Sequence, residues 1–155
     1  MTLMEAMQAR HSVRQYREEA LRKEDAALLR GEIEACNAES GLHIQLVCGE
    51  PKAFSGLMAR YGKFSGVTNY IALVGKKGPD LSETCGYFGE RIVLRAQQIG
   101  LNTCWVAMTY SKVPSAFSVG EGEKLCAVIA VGYGKTQGSG HRVKSLREVT
   151  EGEPP

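Results

Sequence analysis

Two basic clusters near opposite ends of the chain carry the residue types that hold a phosphate. In "ARHSVRQY", Arg10 and Arg14 bracket His11 and Ser12. Guanidinium forks bind oxyanion oxygens in pairs, and a serine hydroxyl adds a further donor. The same residues also read as a solvated basic face at a helix end, where positive charge complements the helix dipole. In "VGYGKTQGSGHRVKS", residues 131–145, an apolar run gives way to glycine, hydroxyl and positive charge, with Lys135, His141, Arg142 and Lys144 on a glycine-rich arm. That arm reads either as an anion-binding segment or as an ordinary polar exit from a strand. It does not read as a nucleotide phosphate loop. Gly134-Lys135-Thr136 has the ending of one, but the glycine required five residues before Gly134 is Ile129, inside an apolar strand pattern.

Two further stretches could face a flat ligand. "GLNTCWVAM" opens on Gly100 and contains Trp105, Val106 and Ala107. A glycine turn lets backbone pass close to a ring, and N–H groups of irregular chain can hydrogen-bond its edge. Trp105 reads equally as a core residue. In "FSGVTNY", Asn69 stands just before a strand.

The rest of the composition narrows the class. A length of 155 residues predicts one domain, residues 1–155, with a real core. Hydrophobic residues at 43% and charged residues at 23% are a globular balance. A net charge of +2 is too small to imply nucleic acid. Cys36, Cys48, Cys85, Cys104 and Cys126 form no C-x-x-C pair, and His11, His43 and His141 have no metal-ligand spacing, so no metal site is predicted. The cysteines read as small buried hydrophobes in a reduced compartment. With no apolar leader and no run of membrane-spanning length, the expectation is a cytoplasmic protein without membrane contact.

The elements that must position these residues follow from periodicity. Thr2 is a possible N-cap for a short helix that delivers the chain to Arg10. A second helix is predicted from about Lys23 to Cys36, with Ala26, Leu29 and Ile33 inward and Gly41 as breaker. "LHIQLVCG" alternates as a half-buried or edge strand. "EPKAFSGLMARYG" predicts a helix with Pro51 in its first turn. "NYIALVGKK" predicts a buried strand. The longest helix is predicted from Asp80 or Ser82 to Gln98, with Cys85, Phe88, Ile92, Ala96 and Ile99 on its apolar face and Gly100 past its end. "LNTCWVAM" is a short extended piece, "SKVPSAFSV" a loop or small helix, and "KLCAVIAVGYG" a central strand. "LREVTEGEPP" starts as a possible helix and stops in an acidic, proline-ended tail. Strands mixed with helices make the class α+β.

Three motifs in order carry a resemblance. "RHSVRQY" is close to an R-x-S-x-R-x-[FY] pattern. "GERIVLRAQQIGLNTCWVAM" is similar to a helix of form E-x-x-x-L-x-A-x-x-x-G-L-x-x-x-W, and "AVIAVGYG" is followed by a basic tail. Together they resemble the nitroreductase-like flavoprotein family over most of the chain. The resemblance implies a mixed α/β sandwich, a mostly antiparallel central sheet flanked by helices, and non-covalent FMN at the interface of a homodimer. It implies hydride uptake from NADH or NADPH and ping-pong reduction of nitroaromatic, quinone or flavin-like acceptors. Arg10, His11, Ser12 and Arg14 would hold the flavin phosphate and ribityl chain, completed by Arg142 and Lys144. The segment of Trp105, Val106 and Ala107 would lie against the isoalloxazine. No catalytic side chain is implied, because the hydride chemistry belongs to the cofactor.

The chain departs from the family between the second helix and the next strand. "CNAESGLHIQL" stands where most members carry [AS]-P-S-x-x-N-x-Q, whose Asn and Gln contact the flavin. In this it resembles a subgroup of longer nitroreductases whose A-P-T-A-x-N-Q-Q segment lies in a second half, after the basic arm. That implies an N-terminal part of a longer chain, with Gln45 or Asn69 as partial substitutes. The competing expectation is a flavin-binding or remnant scaffold without turnover.

Overall fold

A computed structural model of the protein describes residues 1–140 and 143–152. Its first helix, α1 (Leu3–Ala9), begins with a reciprocal cap. The Thr2 hydroxyl accepts from the Glu5 N–H at 3.2 Å and the Glu5 carboxylate accepts from the Thr2 N–H at 2.7 Å, so two orphan donors of the first turn are satisfied. Only Ala6 of α1 is buried; Leu3, Met4 and Met7 are exposed.

Helix α2 (Lys23–Ser40) buries Ala26, Leu29, Ile33 and Cys36 at helical spacing and ends at Gly41 in the left-handed conformation, φ 72°. Helix α4 (Leu81–Gln98) buries Cys85, Ile92 and Ala96, with Phe88 and Ile99 partly covered, and Gly100 follows at φ 85°. These two long helices pack on one face of a four-stranded antiparallel sheet. Its strands are β1 (Gln45–Val47), β2 (Tyr70–Lys76), β3 (Asn102–Val106) and β4 (Glu123–Gly132), in the order β1-β2-β4-β3. The central strands β2 and β4 hold the most protected residues, among them Ile71, Leu73, Val128 and Ile129. The second face carries its own core, built from Val13, Tyr16, Phe54, Phe64, Val67, Tyr70, Cys104 and Val128. The class is the expected α+β with a central antiparallel sheet.

Local differences have local causes. The helix predicted over residues 50–62 is two pieces, a 3₁₀ turn at Lys52–Phe54 and α3 (Leu57–Tyr61). Gly56 between them is extended, φ −81° and ψ 178°, and the Glu50 carboxylate accepts from the N–H groups of both Lys52 and Ala53 at 2.9 Å. A capped turn and a glycine thus outcompete the helical pattern. Of the alternating "LHIQLVCG" run only three residues pair, as edge strand β1. Residues 113–119 form a loop, anchored by the Gln45 amide, which accepts from Ser118 N–H and donates to Ser118 O, both at 2.8 Å. The acidic tail begins with α5 (Leu146–Val149), a single turn. Cys48 corrects the reading of the cysteines, since it is exposed, whereas Cys36, Cys85 and Cys104 are buried.

Candidate functional site

The chain after α1 is extended because three neighbours take its backbone groups. Val13 N–H donates to Thr103 O of β3 at 3.0 Å. Ser65 N–H donates to Arg14 O at 3.0 Å, and Tyr16 N–H donates to Ser65 O at 2.8 Å. Lys135 N–H donates to Gln15 O at 2.9 Å and Arg17 N–H to Tyr133 O at 2.9 Å. Val13 and Tyr16 are thereby pressed into the core, 2% and 1% exposed, and Arg14 and Gln15 stay at the surface. Burial pushes the Tyr16 phenol well above its ordinary pKa, and Cys104 adds to this, so Tyr16 is a neutral strut whose hydroxyl points at Ala130 O, 3.4 Å away.

Between this segment and the glycine-rich arm lies a cleft of about 440 Å³. Ser12, Arg14, Gln15 and Lys63 line one side, and Thr136, Gly138, Ser139 and Gly140 the other. Gly138 has φ 84°, and a Cβ there would stand 2.6 Å from the Cβ of His11. Only glycine lets the arm lie this close to His11. The arm is pinned at its root by Asn102, whose amide oxygen accepts from Gly134 N–H at 2.9 Å and whose amide nitrogen donates to Gln137 at 3.0 Å.

A second cleft of about 410 Å³ is lined by Tyr61, Phe64, Trp105, Thr109 and, again, Arg14 and Lys63. The two clefts therefore meet at these two cations. Lys63 is the one described non-glycine residue with positive φ, 60°. Backbone of this kind is costly, of order 1–3 kcal/mol, and concentrates at functional sites. The arrangement offers charge and hydroxyl donors for an oxyanion, continuing into an aromatic-walled space of the kind that takes a flat ring. The positive field is felt inside the protein: burial raises the Cys104 thiol, while Arg14, the Ser12 hydroxyl and Arg10 each act to lower it.

The residues singled out from the sequence divide accordingly. Ser12 and Arg14 line the first cleft, and His11 lies beneath the arm. Arg10 is turned to α4, its Nε 3.5 Å from the Glu90 carboxylate. Trp105 donates its indole N–H to the other oxygen of Glu90 at 2.9 Å, and its ring packs over Gly89, where a Cβ would collide with it. The indole thus lies against α4. Val106 is buried and Ala107 is exposed where the chain leaves β3. Asn69 is buried with its oxygen accepting from Gly49 N–H and its nitrogen donating to Thr68. Lys144 is exposed, and Arg142, with His141, lies outside the described residues. Lys63, Asn102 and Glu90 were missed. For Lys63 the available signal was a cation directly after a glycine in "YGKF"; Asn102 and Glu90 act through pairings that no local pattern announces.

The sequence model of the family described as "Putative TM nitroreductase" matches residues 2–155. No curated protein sequence matches significantly. A "putative nitroreductase in complex with FMN" from Desulfovibrio desulfuricans superposes with a TM-score of 0.74 at 20% identity, covering 99% of this chain and 98% of that one. A nitroreductase with bound FMN from Bacteroides fragilis gives 0.68 at 19% identity over 100% of both chains. A nitroreductase family protein from Streptococcus pneumoniae gives 0.73 at 13% identity over 98% of this chain and 100% of that one. At such identities the superpositions establish a common fold. With the sequence match spanning residues 2–155, they make this chain a member of the nitroreductase family.

Proposed function

We propose that the protein is an FMN-dependent NAD(P)H oxidoreductase that reduces small electron-poor acceptors such as nitroaromatics, quinones or flavins. The observation that carries this reading is the junction of a cationic, hydroxyl-lined cleft with an aromatic-walled one at Arg14 and Lys63. Each cleft is within the usual volume range of ligand sites, and the pair fits a cofactor with a phosphate at one end and a flat ring at the other. Arg14 and Lys63 would neutralise the phosphate, with Ser12, Thr136 and Ser139 donating hydroxyl hydrogen bonds. The glycines of the arm admit close backbone approach, with Arg142 and Lys144 beyond them in sequence. Arg10 and His11 act one layer back in this scheme, Arg10 through Glu90 and His11 by supporting the arm. Ala107 offers a backbone donor at the exit of β3, and Trp105 holds that strand against α4. When bound, FMN supplies the hydride and electron chemistry, and the chain supplies binding and orientation.

We also read the working form as a homodimer of one-domain chains in the cytoplasm. The chain exposes 9489 Å², whereas a monomer of its mass, 16.8 kDa, exposes roughly 7,700 Å². Exposed Tyr61 and Met108 lie on or next in sequence to the lining of the second cleft, and exposed Leu57 stands one turn before Tyr61 on α3, where a second copy would cover them. The free thiols suit a reduced compartment. Among the described residues no helix is long and apolar enough to cross a membrane.

One observation favours a second reading, a flavin-binding scaffold without turnover. Gln45 and Asn69, the amides that could substitute for the family's Asn and Gln, are both engaged within the chain. Anaerobic mixing of the FMN-loaded protein with NADH or NADPH separates the two. Bleaching of the flavin band far faster than for free FMN, reversed by a nitroaromatic or quinone, is the outcome expected of the oxidoreductase. Retained FMN with no accelerated bleaching supports the scaffold.

A further inference from the structure

Cys85 and Cys126 meet across the interface between α4 and β4. Cys85 is 1% exposed in the upper core. Cys126 is the extra residue of a β-bulge, because the β2–β4 register runs Leu73↔Ala127 and then Val74↔Leu125. A bulge re-aims the side chain of its extra residue, and here Cys126 packs against the same cluster that contains Cys85. Its thiol reaches the Ser82 hydroxyl at 3.9 Å, on the turn of α4 preceding Cys85. Burial raises the Cys85 thiol and neighbouring Cys126 adds to this, while Lys124 acts the other way.

We propose that Cys85 and Cys126 are a thiol modification site, oxidised to an intramolecular disulfide by hydrogen peroxide. The site is separate from the flavin cleft and does not rest on the proposed activity. Cys126 is the partly exposed member and meets the oxidant first. Its sulfur attacks one peroxide oxygen, the O–O bond breaks, and a sulfenic acid and one water form. The Cys85 sulfur then attacks the sulfenic sulfur. The S–O bond breaks, the S–S bond forms, and the second water leaves with the Cys85 proton. Two sulfur atoms have each given up one electron, and the peroxide has been reduced to two waters. Burial pushes the Cys85 thiol up to about 12, so little of it is thiolate at neutral pH and the second, resolving step is the slower of the two.

The test uses the full chain with exposed Cys48 replaced, Cys48→Ser, treated with one equivalent of hydrogen peroxide without NAD(P)H. Expected are loss of two thiols together, a linked Cys85–Cys126 peptide in a non-reducing digest, and reversal by dithiothreitol. The cross-link closes a loop of about 40 residues, so the oxidised protein should melt roughly 5–10 °C higher. Cys126→Ser, which leaves the buried Cys85 in place, should abolish both the linked peptide and the rise in Tm. In Cys85→Ser, Cys126 should stop at the sulfenic acid and be trapped by dimedone. Oxidation of Cys126 in the parent without a Cys85 link, or a link to a different cysteine, would overturn the proposal.

Discussion

The double variant Arg14→Ala/Lys63→Ala is expected to bind FMN at least about 100-fold more weakly than the parent, with Tm unchanged within about 2 °C. Both side chains are exposed and line both clefts. A hydrogen bond to a charged group contributes about 1.5–3 kcal/mol, and about 1.4 kcal/mol is tenfold in affinity, so removing both cations weakens binding by more than two decades. Surface substitutions without buried partners cost little stability. Arg10→Ala is the informative comparison, because Arg10 rests on Glu90 rather than lining the cleft; its effect on affinity should be clearly smaller. FMN fluorescence titration measures all three proteins. Equal weakening in Arg10→Ala and the double variant would move the phosphate to the Arg10 side of the segment.

Gly66→Ala should be the most destabilising small change near the site, by roughly 3 kcal/mol or more. Gly66 has φ 70°, and a Cβ built on it collides with the carbonyl oxygen of Tyr16. That carbonyl belongs to the residue whose N–H donates to Ser65 O, next to the Ser65 N–H that holds Arg14 O. Relieving the collision therefore means separating the turn from the segment that carries Arg14. At this chain length the cost corresponds to a Tm lowered by about 6–12 °C, accompanied by weaker FMN binding. Gly41→Ala isolates the backbone component, since Gly41 has φ 72° with nothing within 4 Å of its Cβ position; about 1 kcal/mol is expected there. Thermal melts of the two variants decide the matter. Equal shifts would mean that the collision at Tyr16 is absorbed without separating the turn.

What was legible in the sequence is what local chemistry decides. The Thr2 cap, the terminating glycines at 41 and 100 and the apolar stripe of α4 are all written within a few residues of the feature they produce. The buried run 70–75 and the apolar stretch of β4 could be placed for the same reason. The site was only partly legible because its geometry is made by partners distant in sequence. Arg10 stands beside Arg14 in sequence, and the structure pairs it with a carboxylate eighty residues later. Trp105 lies on β3 as expected, but the register that pairs Cys104 with Ala130 and the missing Cβ of Gly89 let its indole pack on α4. Lys63 entered the site through an unusual backbone conformation, and Asn102 through hydrogen bonds to an arm more than thirty residues away. The bulge at Cys126 left no periodic trace at all, since one extra residue in a uniformly apolar strand does not disturb the pattern.

The most direct measurement is an absorbance spectrum of the purified chain after incubation with FMN and desalting. If residues 12–15, Lys63 and the glycine-rich arm hold the cofactor, oxidised flavin bands survive desalting in proportion to protein and are lost in the Arg14→Ala/Lys63→Ala variant. A colourless, folded parent protein after the same treatment would contradict it.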